Sequence, residues 1–318
     1  MAEFTWEGDA AAGVLKNHAL SSKIREAAIA GSRFMGYVDT EPNYGRRKGE
    51  SVTITRVRNL DEPTDPTFGE RDRVPIDTFR ESTTSITVSY WGRGVEYSEQ
   101  ADLLHHFDLT DKIQRKLKQQ MQLALDTGAA VAFKAGKIKY IPTSLTGGTF
   151  DTDGTASTTA LENLSITHLR VIRDYMSDTL HVPGWRGGDR FTALCSTKAC
   201  RGLKSDPEWS TWMAPQNAQQ GFVRGMLGTI EDIDIVEVNH TNALSNTKGS
   251  GSVLGEAVFF GDDAVAMALV LDPELRAAIP GNFGLNHAVA WVGMLAFGQI
   301  WGDSANDGEA RVVHVTSA

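Results

Sequence analysis

The chain has 318 residues, of which 41% are hydrophobic and 22% are charged, and its formal net charge is −9. A chain of this length can bury about three quarters of its unfolded surface, enough for one large core or two modest ones. The acidic balance argues against a protein whose main task is to grip nucleic acid, although it leaves room for local basic faces.

No segment carries the uninterrupted apolar run that a membrane span requires, and the first residues place acids where a signal peptide carries a basic region. We therefore expect a soluble protein made in the cytoplasm, without contact to a membrane. Cys195 and Cys200 are too few for a disulfide framework, and their spacing lacks the partner ligands of a zinc site. Both are predicted to be ordinary reduced residues.

The first forty-odd residues are predicted to form an arm with one short helix at residues 22–30. The rest of this arm contains Gly, Ala and Asn and shows little periodicity. An isolated arm of this kind cannot bury its own aromatic side chains, so we expect them to dock on this chain or on a neighbour. The residues concerned are Phe4, Trp6, Phe34 and Tyr37.

Two segments with alternating β-branched residues, SVTITRVR from residue 51 and SITVSYW from residue 85, are predicted to be strands. The connection between them, residues 59–84, contains prolines and a dense mixture of acids and arginines. A connection of this length without clear structure is usually functional or disordered. Because two strands that project alone are marginal in water, we predict a long β-arm that is stabilised by lying on another subunit.

Residues 108–136 carry the only long, unbroken helical pattern in the sequence. Apolar residues from Ile113 and Leu117 to Val131 share one side of this helix. The second half has few polar residues, so we expect it to be covered on most sides. At about 1.5 Å per residue the helix would be roughly 40 Å long. The opposite side of the first half is basic, with Lys112, Arg115, Lys116 and Lys118.

The remainder of the chain is predicted to form a mixed α/β block followed by closing strands. A short strand that stops at Pro142 comes first, and a helix at residues 164–180 follows a polar loop. Further predicted elements are a strand at 190–196, a helix at 197–206, a strand at 233–238, two short strands within 257–271, and two more at 287–301 and 310–318.

Motifs that would carry chemistry are weak. His105 and His106 are able to bind a metal, but adjacent residues before a helix point in different directions. Residues 151–155, DTDGT, resemble the start of a calcium loop without its later glutamate, so an Asx turn is predicted. Asp232 and Asp234 have the spacing for acid–base work, yet a charged edge strand shows the same pattern. We therefore expect no catalytic centre, metal site or cofactor.

The order of the predicted parts resembles that of the major capsid (coat) proteins of tailed double-stranded DNA phages, which have the Hong Kong 97-type fold. That order is arm, charged hairpin, long helix, α/β block and closing strands. The likeness spans most of the chain and is greatest to the branch typified by the coat protein of N4-like phages. The stretches that carry it are VTITRVRNL (52–60), TVSYWGRGVEYSEQADLL (87–104), LTDKIQRKLKQQMQLALDTG (109–128), GMLGTIEDIDIVEV (225–238), AFGQIW (296–301) and RVVHVTS (311–317).

This resemblance implies an α+β chain divided into five segments. They are an N-terminal arm (1–48), an extended β-hairpin loop (49–95), a peripheral domain with a spine helix (96–160), an axial domain (161–255), and a return with closing peripheral strands (256–318). Such subunits form hexamers and pentamers of an icosahedral shell around the phage genome. The extended loop would lie over the adjacent subunit, and its two signs of charge suit it to setting register there. The predicted intersubunit residues are Glu62, Asp65, Glu70, Arg71, Asp72, Arg73 and Arg80.

The resemblance also implies partners and a location. Assembly in the cytoplasm of a host bacterium would end in the virion capsid, with a scaffolding protein, a portal and a decoration or cement protein as partners. The basic face of the spine helix is able to touch the packaged double-stranded DNA, weakly and without sequence specificity. Two alternatives stay open. One is an encapsulin-like bacterial compartment shell, and the other is an α/β hydrolase that uses Asp232, Asp234 or the His105–His106 region.

Overall fold

The computed structural model describes residues 30–41, 49–57, 60, 63, 65, 67–69, 73–104, 109–209, 226–279, 285–301 and 309–318. Within these ranges the chain forms helices, a sheet of seven strands, a sheet of four strands and a two-stranded hairpin. The predicted α+β class is therefore confirmed. The predicted helix at 22–30 lies almost entirely outside the described residues.

Strands, α-helices and short helical turns alternate along the described chain. The strands are β1 (Asp39–Glu41), β2 (Ser51–Val57), β3 (Glu81–Thr87), β4 (Ser89–Ser98), β5 (Ile138–Ser144), β6 (Gly147–Asp151), β7 (Phe191–Ser196), β8 (Met226–Ile230), β9 (Ile233–Val238), β10 (Ala257–Phe260), β11 (Val265–Ala277), β12 (Asn286–Gln299) and β13 (Val312–Val315). The α-helices are α1 (Glu99–Leu104), α2 (Leu109–Lys134), α3 (Ile166–Asp174) and α4 (Thr197–Ser205). Short turns of 3₁₀ or π-helix lie at Phe34–Tyr37, Tyr175–Thr179, Trp185–Gly187 and Ser250–Ser252.

The seven-stranded sheet has the order β6-β5-β13-β10-β7-β9-β8 and is covered on both faces. Alternate residues of a strand point to opposite faces, and β10 shows this directly. Phe259 packs into a cluster with α3 and α4, whereas Val258 and Phe260 pack into a second cluster with the end of α2. The strands of this sheet come from residues 138–151, 191–196, 226–238, 257–260 and 312–315, so it draws on three of the predicted segments.

The four-stranded sheet has the order β1-β11-β12-β4, with the long antiparallel pair β11–β12 at its centre. The first half of α2 lies on this sheet, where Leu117 packs with Val289 and Trp291. The second half of α2 lies on the seven-stranded sheet, where Ala129 and Phe133 are buried. One helix therefore spans both sheets, in agreement with the helix predicted at residues 108–136.

The base of the β2–β3 hairpin packs on its own chain. Ile86 and Val88 are buried against Ala266, Ala296 and Ile300 of the four-stranded sheet region. The hydroxyl of Thr84 donates a hydrogen bond to the carbonyl of Ile300 at 3.2 Å. The prediction that another subunit stabilises this arm as a whole is therefore wrong for the base. Burial of apolar surface within the chain already stabilises it.

Three further sequence predictions are corrected by the structure. Val131, predicted to face inward, is 58% exposed. β5 does not stop at Pro142 but continues to Ser144. The proline lacks an N–H, but β13 pairs with β5 only at residues 138–140, so no hydrogen bond to β13 is lost at Pro142. β9 is not an edge strand, since it lies between β7 and β8. Asp232 precedes β9, in the β8–β9 turn, with a positive φ of 59°.

Candidate assembly surface

The described part of the extended loop presents a row of apolar side chains to solvent. Val74, Ile76 and Phe79 are 59%, 80% and 58% exposed, and Arg73 and Arg80 flank them. Contiguous apolar patches on a protein surface commonly mark sites of interaction with another protein. Sequence analysis singled out only the charges of this loop. The alternation in RVPIDTFR, residues 73–80, was the signal that was missed.

Three of the predicted charged intersubunit residues are described. Arg73 and Arg80 are exposed, and the carboxylate of Asp65 accepts hydrogen bonds from the Thr67 hydroxyl at 2.6 Å and the Thr67 N–H at 3.0 Å. These hydrogen bonds lower the pKa of Asp65. Asp65 therefore shapes the loop locally, and its role between subunits stays a prediction. The other four, Glu62, Glu70, Arg71 and Asp72, lie outside the described residues.

An apolar groove of about 620 Å³ runs between α2 and the adjoining ends of β4 and β12. Its wall is aromatic, because the rings of Trp91 and Phe297 meet edge to face with centroids 5.9 Å apart. The helix contributes small or short side chains, which keep the groove open. The lining residues are Ser89, Trp91, Ala124, Thr127, Gly128, Val131, Ala132, Ala135, Ala296, Phe297, Gly298 and Gln299, and none of them is charged. The exposed Val131 is therefore part of a recess and not of the core.

The loop and the groove lie at opposite ends of the hairpin. The loop leaves the body beside Val57, which lines a small cavity with Leu180 and Pro183. The groove begins at Ser89, just past the other end of β3. β3 has seven residues, and at about 3.3 Å per residue it separates the two features by roughly 20 Å. One copy thus carries two different patches, the arrangement that a head-to-tail interface requires.

The predicted basic face lies on the first half of α2. Arg115, Lys116 and Lys118 are exposed, and Lys112 is half-buried. Arg115 forms a salt bridge with Asp111 at 2.7 Å. Lys112 and Lys116 also flank a shallow apolar groove of about 360 Å³ whose floor includes Val95, Ile113 and Leu117. The face is therefore basic with an apolar floor, and its contact with a genome stays a prediction.

Two of the four arm aromatics predicted to dock are described, and both lie against their own chain. Phe34 is buried, with its ring centroid 5.7 Å from that of Phe133. Tyr37 contacts Trp185 and Phe260 at centroid distances of 5.3 and 5.4 Å. β1 then pairs in parallel with β11. Residues 31–41 are therefore a fixed root of the arm, while Phe4 and Trp6 lie outside the described residues.

A buried polar network lies at the end of α2. Lys139 donates a hydrogen bond to the Lys134 carbonyl at 2.6 Å, and its Nζ lies 3.2 Å from Nδ1 of His314. Nε2 of His314 lies 3.6 Å from Glu256, whose other oxygen accepts a hydrogen bond from the Ser245 N–H at 2.7 Å. Burial lowers the pKa of His314 to about 4. Burial raises the pKa of Glu256, but the adjacent His314 and the Ser245 N–H outweigh it and lower the pKa to about 2.

The carboxylates of the hydrolase alternative are engaged with surface arginines. Asp232 lies 3.4 Å from Arg173, and Asp234 lies 3.8 Å from Arg190.

In the described part of the chain, no group of three or more His, Cys, Asp or Glu side chains is placed to hold a metal ion. Nor does any helix described there combine the length and the apolar composition needed to cross a membrane.

No protein-family model and no curated protein matches this sequence. Solved structures match along the whole chain. The capsid of Ralstonia phage GP4 is 18% identical with a TM-score of 0.67, covering 100% of this chain and 98% of that one. The capsid structure of Helicobacter pylori bacteriophage KHP30 is 11% identical with a TM-score of 0.69, covering 100% and 98%. The capsid of cyanophage Pam1 is 17% identical with a TM-score of 0.66, covering 100% of both chains.

The chain therefore has the fold of phage capsid proteins, the Hong Kong 97-type fold, and the predicted fold is confirmed. The finer likeness, to the coat proteins of N4-like phages, stays a prediction.

Proposed function

We propose that this chain is the major capsid protein of a tailed double-stranded DNA phage. Copies of it assemble into hexamers and pentamers of an icosahedral shell that encloses the genome, and the chain has a structural role without catalysis. The observation that carries this proposal is that one chain has both an exposed apolar loop and, at the opposite end of the hairpin, an open apolar groove. The fold that carries them is shared with phage capsids.

The loop segment of residues 73–80 fits the groove of a neighbouring copy. In an extended chain Val74 and Ile76 point to the same side, so both can face the aromatic wall formed by Trp91 and Phe297. Full burial of a side chain of this size contributes about 1.5–3 kcal/mol before the cost of ordering the loop. The groove lining carries no charge, so the flanking arginines of the segment stay in water at its ends.

A head-to-tail contact of this kind generates rings when the rotation between copies closes. It therefore supports hexamers and pentamers better than a two-fold dimer. The charged residues of the loop, including Asp65, Arg73 and Arg80, set the register of the contact, because complementary charges act on specificity more than on affinity.

The proposed partners and location follow from this role. A scaffolding protein, a portal and a decoration or cement protein accompany the shell, which is assembled in the host cytoplasm and becomes the virion capsid. Arg115, Lys116 and Lys118 contact packaged DNA weakly. We favour this role over an encapsulin-like compartment because the three matching structures described above are phage capsids. We favour it over a hydrolase because the carboxylates of Asp232 and Asp234 are held in ion pairs with the surface residues Arg173 and Arg190.

The proposal is tested by two interface variants and by mixing them. Ile76→Asp disables the loop and Val131→Asp disables the groove, and each is expected to give a folded chain that forms no closed particles in electron microscopy. Matched controls are Asp77→Lys, a change of charge on the opposite side of the same loop segment, and Gln114→Asp on the same helix, which are expected to assemble. An equimolar mixture of the two defective variants retains one intact loop and one intact groove. It is expected to give a one-to-one dimer in light scattering.

Two outcomes would contradict the proposal at different levels. Normal particle yield from Val131→Asp would exclude the groove as the loop site while leaving the shell role intact. If the unaltered chain forms neither rings nor shells, even when co-expressed with a scaffolding protein, the shell role itself would be rejected. Particles that contain cargo enzymes in place of DNA would instead favour the compartment alternative.

A further inference from the structure

Asp126, on α2, is a fully buried acid whose carboxylate faces the root of the arm. Its Oδ1 accepts three hydrogen bonds, from the Ser32 hydroxyl at 2.9 Å, the Arg33 N–H at 2.8 Å and the Phe34 N–H at 2.7 Å. The 3₁₀ turn that starts at Phe34 has no side-chain cap of its own. Asp126 therefore caps this turn from a position far away in the chain, using the same chemistry as a helix N-cap.

The second oxygen of this carboxylate connects the arm root to the seven-stranded sheet. Oδ2 of Asp126 lies 3.1 Å from Nδ1 of His240, which follows β9. The neighbouring Asn239 side chain accepts a hydrogen bond from the Gly31 N–H at 3.0 Å. One carboxylate and one amide thus join three parts of the fold: the spine helix, the root of the arm and the loop after β9.

We propose that Asp126 is a positioning residue that fixes the orientation of residues 31–34, the point from which the predicted N-terminal arm continues. The buried ring of Phe34 anchors the root to the core, but an apolar contact does not set the orientation of the backbone, because the hydrophobic effect is not directional. Three donors on one oxygen set the orientation of residues 32–34, and Asn239 extends that control to Gly31. The root cannot swing away without leaving Oδ1 of this buried carboxyl group without its three donors, which is unfavourable.

This inference deepens the proposed function, since the direction of the arm decides which neighbouring subunit it meets. It rests on that function only for this consequence in the shell. The contact itself exists within one copy, so it is tested on the full-length, unassembled chain. The outcome therefore does not depend on whether the chain forms particles.

The first test is amide hydrogen exchange. Asp126→Ala is expected to accelerate exchange at residues 33 and 34 by at least tenfold, while peptides from β10 and β13 keep their protection. Asp126→Asn keeps one acceptor oxygen in the same place and is expected to restore most of the protection. Asp111→Ala is the matched control, because it removes a carboxylate from the exposed start of the same helix and leaves the root unchanged.

The second test measures direction. Spin labels at Ala30→Cys and Lys118→Cys report the distance between the root and the spine helix, and the native cysteines are both buried. A narrow distance distribution is expected for the otherwise unaltered chain and for Asp126→Asn, and a broad one for Asp126→Ala. If Asp126→Ala does not fold, the milder pair Ser32→Ala with Asn239→Ala is used. It removes the acceptor of the Gly31 N–H and one hydrogen bond of Asp126, and it is expected to accelerate exchange at residues 31, 33 and 34 several-fold.

The proposal is overturned if Asp126→Ala, or the milder pair, leaves both the exchange at the root and the width of the distance distribution unchanged. It is also overturned if exchange rises equally in all peptides. In that case Asp126 would act on the stability of the whole fold and not on the arm.

Discussion

Gly128 and Trp91 fit against each other so closely that the indole occupies the space that a β-carbon at position 128 would need. This contact is part of the lining of the apolar groove and joins α2 to β4. It explains why a helix otherwise built from good helix formers contains a glycine in its second half, at a cost of about 1 kcal/mol relative to alanine.

Gly128→Ala is therefore expected to destabilise the chain despite the better helix propensity of alanine. Overpacking costs about 1–3 kcal/mol and the propensity gain is about 1 kcal/mol, so we expect a net loss of about 1 kcal/mol. Urea unfolding of the unassembled chain measures it. Gly36→Ala is the control, because nothing lies within 4 Å of the position of its added β-carbon. A Gly128→Ala chain that is as stable as the parent would show that the indole moves aside freely.

Acid is expected to destabilise the chain through His314. Its pKa is about 4 in the folded chain against an ordinary 6.5, so between these values the unfolded chain binds more protons. Stability is therefore full above pH 6.5 and falls as the pH drops from 6.5 to 4, by about 3 kcal/mol at about 1.4 kcal/mol per pH unit. Glu256 adds a second loss at lower pH, since its pKa of about 2 lies below the ordinary 4.5.

Urea unfolding at several pH values between about 7 and 4 measures this loss. His314→Gln removes the titrating group and is expected to flatten the dependence over this range, whereas His181→Gln, at an exposed histidine, is the control. An equally steep loss in His314→Gln would assign the acid sensitivity to other groups.

Trp301 is expected to hold the hairpin base to the body. Its ring lies 4.1 Å from the guanidinium of Arg311 and 5.7 Å from that of Arg56, and its N–H donates to Asp263 at 3.0 Å. Trp301→Leu removes both cation–π contacts, each of which contributes about 0.5–2 kcal/mol. Faster amide exchange in β2 and β3 is the expected result. Trp301→Phe keeps an aromatic face and should retain most of the protection, and equal exchange in all three chains would contradict the prediction.

The basic face of α2 is expected to carry whatever affinity the chain has for DNA. Reversal of charge at Arg115, Lys116 and Lys118 should lower the affinity for a random-sequence duplex at low salt by at least tenfold. Each substitution removes one contact with a phosphate, and the counterion that this contact would have released stays bound to the DNA. Fluorescence anisotropy at two salt concentrations measures the affinity and its salt slope. Arg276→Glu, an exposed arginine on β11, is the control. Unchanged binding in the triple variant would place the DNA contact elsewhere.

Sequence reasoning reached the parts of this protein whose signals are local. The period of apolar residues defined α2, whose observed ends at Leu109 and Lys134 fall within the predicted range. Alternation of β-branched residues located β2, and the order of the elements found in this way resembled that of phage capsid proteins. These results depend on neighbours within a few turns or a few residues, which a single sequence displays directly.

The tertiary structure decided the features that depend on distant parts of the chain. Val131 follows the apolar period of its helix, yet it is not covered by a core. It lines an open groove together with Trp91 and Phe297, which come from β4 and β12. Asp126 stands among buried residues and has no local signal, since its donors lie more than 90 residues earlier. Strand partners such as β1 and β11 are set by packing between remote segments. Local periodicity records which side of an element is apolar, but only the packed chain determines whether that side meets a core, a groove or a neighbour.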